Sequence, residues 1–148
     1  MPLGAADPTA PAPDERLSMT AARRFGALAA LLLALATAMG ALEAHLLRAH
    51  LSSERDAILQ TAVQYQFSQS LGLLAVSALL SRLGTPMLRF AAGLLTAGIV
   101  LFSGSLYLLV AGAPRLLGAI TPLGGLGLIG AWVLIAGALL RGAARRPQ

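Results

Sequence analysis

The sequence predicts an all-α membrane protein, a bundle of four transmembrane helices with its N and C termini cytoplasmic. Three observations predict it. Of the 148 residues, 57% are hydrophobic and 11% charged, where soluble domains carry about a quarter charged; the mean hydropathy is +0.76. Charged residues then cut the chain into four uncharged windows, Phe25–Leu42, Ala57–Ser81, Phe90–Pro114 and Leu116–Leu140. A helix rises about 1.5 Å per residue and the hydrocarbon core is roughly 30 Å thick, so about 20 residues cross it. Finally, in a four-span arrangement Arg16, Arg23, Arg24, Arg82, Arg89, Arg141, Arg145 and Arg146 fall on one side, and Arg48, Arg55 and Arg115 on the other. Short loops rich in arginine stay cytoplasmic.

The first 22 residues hold four of the eight prolines among alanines and acids, a composition expected to be disordered. Arg23-Arg24 before an apolar run with Ala34-Leu35-Ala36 resembles a signal peptide. A retained first span is preferred, since cleavage would place the C-terminal arginines on the wrong side. The membrane domain is read as residues 23–141, with spans near 25–47, 60–83, 88–112 and 118–140, followed by a basic tail over 142–148. The first window has 18 residues and is completed by Glu43 to Leu47, whose polar end can reach the headgroups.

Ser53-Glu54-Arg55-Asp56 has the pattern of a capping box, so the second helix should start near Glu54. Leu83-Gly84-Thr85-Pro86 reads as a turn. The third span should stop near Gly112, before Pro114. Thr121-Pro122 reads as a helix start, with a capping hydroxyl and proline at the first helical position; the alternative is a longer helix kinked at Pro122. Gly104, Gly124, Gly125, Gly127 and Gly130 are expected to let helix backbones approach. Gly125-x-Gly127-x-x-Gly130 matches a dinucleotide fingerprint formally, but that motif needs a preceding strand, and inside a span it is packing.

Placed by depth, Glu43, His45, Tyr65, Gln66, Gln69, Ser103, Ser105, Tyr107 and Thr121 lie from mid-membrane to the outer face, while the inner half holds little beyond Ser77, Thr96 and Trp132. Two readings remain open. One is an interhelical hydrogen-bond network, because polar groups in lipid must find partners. The other is a pocket open to the outer side, for a lipid headgroup or a quinone-like molecule. Glu43 can also pair with Arg48.

Met39 to His45 (MGALEAH), Gln60 to Gln66 (QTAVQYQ), Phe102 to Leu109 (FSGSLYLL) and Gly118 to Gly125 (GAITPLGG), followed by Trp132, resemble in serial order the domain of unknown function 423 family. That family includes the eukaryotic transmembrane protein 256 relatives. The resemblance covers about Phe25 to Leu140 and implies a small integral protein of the bacterial inner membrane with no established activity. Family members often carry a histidine after Tyr65 or at position 69; this chain has Gln66 and Gln69, which weakens a proton relay on the second span.

With no cysteine, disulfides and thiolate chemistry are excluded. Two histidines, without an H-E-x-x-H or G-x-S-x-G pattern, leave no recognisable catalytic or metal set, and no cofactor is expected. The expected function is that of a non-enzymatic accessory or scaffold component, packing against membrane lipids, other membrane proteins or itself, with no nucleic-acid partner. A small-molecule or ion carrier, or a lipid- or quinone-binding protein, is the alternative.

Overall fold

The computed structural model describes residues 12–144. The expectations for residues 1–11, for Arg145 and Arg146 and for the end of the C-terminal tail lie outside the described residues. Four long helices make up the fold: α1 Pro13–Leu42, α2 Ser53–Leu83, α3 Pro86–Val110 and α4 Ile120–Ala144. A π-helical turn, Glu43–Leu47, prolongs α1, and a 3-10 turn, Arg115–Ala119, leads into α4. Among the described residues, three helical stretches are long and apolar enough to cross a membrane: Arg16–Leu47, Pro86–Val110 and Leu116–Arg141. α2 has the length, at 31 residues, but its glutamines and serines dilute its apolar surface below theirs.

The helix ends follow local chemistry. Ser52, not Ser53, caps α2: its Oγ accepts from the Arg55 N–H at 3.4 Å. Adjacent serines offer the same hydroxyl, and the one left in extended conformation takes the role. Gly84, with φ +58°, closes α2 in the left-handed region. Thr85 Oγ1 then accepts from the Leu88 N–H at 3.3 Å, with Pro86 opening α3. Pro122 lies in the first turn of α4, where its missing N–H leaves no bond unmade. Thr121 is therefore inside the helix rather than its cap.

α1 starts at Pro13, which corrects the expected disordered tail through Ala22. The reason is a tertiary anchor. Ser18 Oγ donates to the Gly84 carbonyl at 3.1 Å, 66 residues away, and Ala22 is buried in the core. Composition around prolines carries no trace of so distant a partner.

The helices pack in chain order, α1 on α2, α2 on α3 and α3 on α4. α1 and α4 are not neighbours, so the bundle is open along one side. Leu73, Leu80, Leu95 and Ile99 form its centre, joined from α4 by Leu128 and Ile135. α4 buries positions 124, 128, 131, 135 and 138, the alternating three-and-four spacing of a single packed face. The α3–α4 approach is close because side chains are absent there. A Cβ added at Gly124 would come within 2.8 Å of the Phe102 Cα, and one at Gly98 within 3.0 Å of the Leu128 backbone nitrogen. Gly127 stands 3.6 Å from the Gly98 Cα by the same measure, while Gly125 and Gly130 face Phe102 and Leu94 side chains. Gly104 departs from the expectation. A Cβ there would meet nothing within 4 Å, so no neighbouring helix approaches closely at that position.

Candidate functional site

Five of the nine polar residues grouped by depth, Glu43, Gln66, Gln69, Ser105 and Thr121, are hydrogen-bonded through their side chains, in separate sets rather than one network. At the corner between α1 and α2, the π turn directs the Arg48 N–H to the Glu43 carbonyl at 3.0 Å. Arg48 Nε lies 3.8 Å from Glu43 Oε1 and 3.8 Å from Asp56 Oδ2. Gln60 Nε2 donates to Asp56 Oδ2 at 2.9 Å and to Glu43 Oε1 at 3.4 Å. Two carboxylates thus share one cation and one amide. The Arg48 side chain is 64% exposed, so its charge is largely screened, and the amide of Gln60 is the firmer tie. His45 sits on the same turn, exposed, and makes none of these bonds.

Deeper in the fold the pairs cross helices. Gln66 is 2% exposed, and its Nε2 donates to the Leu32 carbonyl of α1 at 2.9 Å. Trp132 Nε1 on α4 donates to Gln69 Oε1 on α2 at 2.7 Å. Ser105 and Thr121 share a hydrogen bond of 2.7 Å between α3 and α4. Tyr65 stacks on Phe102, with ring centroids 4.6 Å apart. The hydroxyls of Ser77 and Thr96 bond carbonyls of their own helices, a local bond open to serine and threonine in any helix.

Among the described residues, three buried hydroxyls are left over. Ser70 Oγ, Ser103 Oγ and Tyr107 Oη are buried without a hydrogen-bond partner. Ser103 and Tyr107 are four apart on α3 and share a face. An open cleft of ≈ 730 Å³ lies elsewhere, between the start of α2 and the end of α3, lined by Ser52, Glu54, Arg55, Ile58, Leu109 and Pro114. None of the nine residues singled out by depth lines it.

Sequence reasoning missed Asp56 and Gln60 as members of the corner. Their spacing of four on one helix face was the available signal. It also placed Trp132 apart from the outer-half residues, whereas the indole reaches Gln69. Among the described residues, no group of three or more histidine, cysteine, aspartate or glutamate side chains is arranged to hold a metal ion.

A family model described as a protein of unknown function, DUF423, matches residues 39–125. The chain belongs to the DUF423 family. Curated relatives of this DUF423 protein match over longer stretches than the family model does. The UPF0382 membrane protein YwdK of Bacillus subtilis is 43% identical over 112 residues, covering 75% of this chain and 89% of the relative. The UPF0382 membrane protein SH2409 of Staphylococcus haemolyticus is 39% identical over 111 residues, 75% of this chain and 90% of the relative. The UPF0382 inner membrane protein YgdD of Escherichia coli K12 is 33% identical over 98 residues, 66% of this chain and 75% of the relative. No solved structure matches the DUF423 chain. With these relatives and three helices of spanning length, the DUF423 chain is a small multi-pass protein of the bacterial inner membrane.

Proposed function

We propose that this DUF423 protein crosses the membrane four times with both termini cytoplasmic, and acts as a non-enzymatic accessory component that packs against other membrane proteins or lipids. The observation that carries the accessory role is how the polar and apolar groups are divided. Gln66, Gln69, Ser105, Thr121 and Trp132 are spent on bonds inside the molecule, while α1 and α4 do not touch and turn broad apolar faces outward. Leu31 and Leu35 on α1, and Leu126, Ile129 and Val133 on α4, are half or more exposed. Helices without a neighbour on such faces are free to meet lipid or another span. The fourth span is supported by α2 itself, held antiparallel between α1 and α3, and the orientation by the arginine asymmetry.

The experiment is a mild-detergent purification of the tagged protein at native expression level, with mass spectrometry of co-purifying proteins and lipids. A stoichiometric membrane-protein partner supports the accessory role. Turnover or solute movement by the purified protein alone sinks it.

One observation favours a second reading, a small-molecule site in the outer half. Ser103 Oγ and Tyr107 Oη are buried on one face of α3 with no partner, and a polar ligand such as a quinone-like carbonyl compound could accept from both. Binding of such a compound that is lost in Tyr107→Phe would establish it.

A further inference from the structure

At the end of the layer where α2 turns into α3, positive charge is gathered. Arg82 lies in the last turn of α2, Arg141 in the last turn of α4, and Arg89 is the fourth residue of α3. Arg23 and Arg24 project from α1 and are exposed. The ion pairs around Arg48 are at the opposite end of α2, and no carboxylate among the described residues pairs with Arg89.

Arg89 is held differently from the exposed arginines. Its Nη2 donates to Ser18 Oγ at 3.1 Å, and Ser18, 4% exposed, donates in turn to the Gly84 carbonyl at 3.1 Å. This relay fixes the guanidinium between α1 and the α2–α3 turn. Its Nε is buried with no acceptor. Helix electrostatics do not account for the charge either, since the first turn of a helix favours anions and disfavours cations. Arg141 approaches the same turn of α3 from the side of α4, where its Nη1 meets only the thioether of Met87 at 3.6 Å, a weak acceptor. Two guanidinium groups thus come to one helix start, and among the described residues no carboxylate is paired with either. A partly buried cation lacking a counter-ion is destabilising until an anion arrives, and the planar fork of arginine fits phosphate oxygens in pairs.

We propose that the guanidinium of Arg89, positioned by Ser18 and reinforced by the charge of Arg141, binds the phosphate of an anionic phospholipid at the start of α3. The site rests on α3 as a membrane span, which puts its first turn at headgroup level, and is independent of the accessory role.

The test uses the full chain in nanodiscs of phosphatidylcholine with or without phosphatidylglycerol, read by native mass spectrometry of retained lipid and by the thermal unfolding midpoint. Phosphatidylglycerol should be retained in preference to phosphatidylcholine and should raise the midpoint. Arg89→Gln should weaken that retention about tenfold, the scale of one charged hydrogen-bonding pair, while Arg24→Gln leaves it intact. Equal loss in both variants would assign the effect to the diffuse positive field and overturn the site, as would unchanged retention in Arg89→Gln. If Arg89→Gln does not fold, Ser18→Ala keeps the charge and removes the strut. It should lose part of the preference, and an unchanged preference overturns the positioning. Inorganic phosphate giving the same midpoint shift in pure phosphatidylcholine would make free phosphate the ligand and overturn the lipid.

Discussion

Trp132 on α4 and Gln69 on α2 are joined by a 2.7 Å hydrogen bond from the indole Nε1 to the side-chain oxygen, across 63 residues of chain. The same ring lies over Gly72, where an added Cβ would come within 2.6 Å of Cζ2. One bond and one missing methyl group therefore draw α4 onto α2, although α3 separates them in the chain.

Gln69→Leu removes the acceptor and leaves the indole in place, and should lower stability by about 0.6 kcal/mol, an average interhelical hydrogen bond in lipid. Gly72→Ala displaces the ring itself and should cost about 1–3 kcal/mol. Unfolding of both variants in mixed micelles with increasing SDS checks the order. A Gly72→Ala protein as stable as wild type would mean the indole is not seated there.

Gly124 and Gly104 make a matched pair on facing helices. Gly124→Ala forces a methyl group against the Phe102 backbone, and should destabilise by about 1–3 kcal/mol. Gly104→Ala enters open space and should be neutral or gain up to about 1 kcal/mol in helix propensity. The same unfolding assay separates them.

Gln66→Leu removes the bond to the Leu32 carbonyl, which stays within the α1 helix, and buries no new polar group, so its loss should stay near ~0.6 kcal/mol. Gln66→Glu puts a charge at a position 2% exposed and should be far worse at neutral pH. Burial favours the protonated acid, so the folded state binds the proton more tightly than the unfolded one. Stability of Gln66→Glu should therefore rise as pH falls, while that of Gln66→Leu should not follow this trend.

The chain has no cysteine, which gives a clean background for topology. With four spans and cytoplasmic termini, His50→Cys and Ala111→Cys should react with a membrane-impermeant maleimide in intact spheroplasts, and Arg82→Cys only after permeabilisation. Labelling of Arg82→Cys from outside would reverse the orientation.

Much of the fold was legible because lipid constrains sequence so strongly. A helix that meets hydrocarbon must be free of charge for about 20 residues, and the windows read from charge alone overlap all four helices. What escaped is what depends on partners distant in the chain. The start of α1 at Pro13 is secured by Ser18 against Gly84, and nothing near Ser18 announces it. Among the glycines, spacing marked a small-residue surface but not which members face a neighbour, so Gly104 looked equivalent to Gly124. Depth likewise grouped Gln69, Ser105 and Glu43, while the fold sends each to a different helix pair. The Asp56–Gln60 spacing was local and could have been read.

Each helix packs on its neighbour in the chain, and among the described residues α1 and α4 are not neighbours. The order of translation is thus also an order of assembly: α2 emerges onto α1, α3 onto α2, and α4 completes the layer last with the Trp132–Gln69 clasp. α1 finds its partner as soon as α2 is made, so the chain can leave the insertion machinery as a stack that grows from one edge, while the Gly98 surface of α3 and the Gly72 notch of α2 are covered only when α4 arrives.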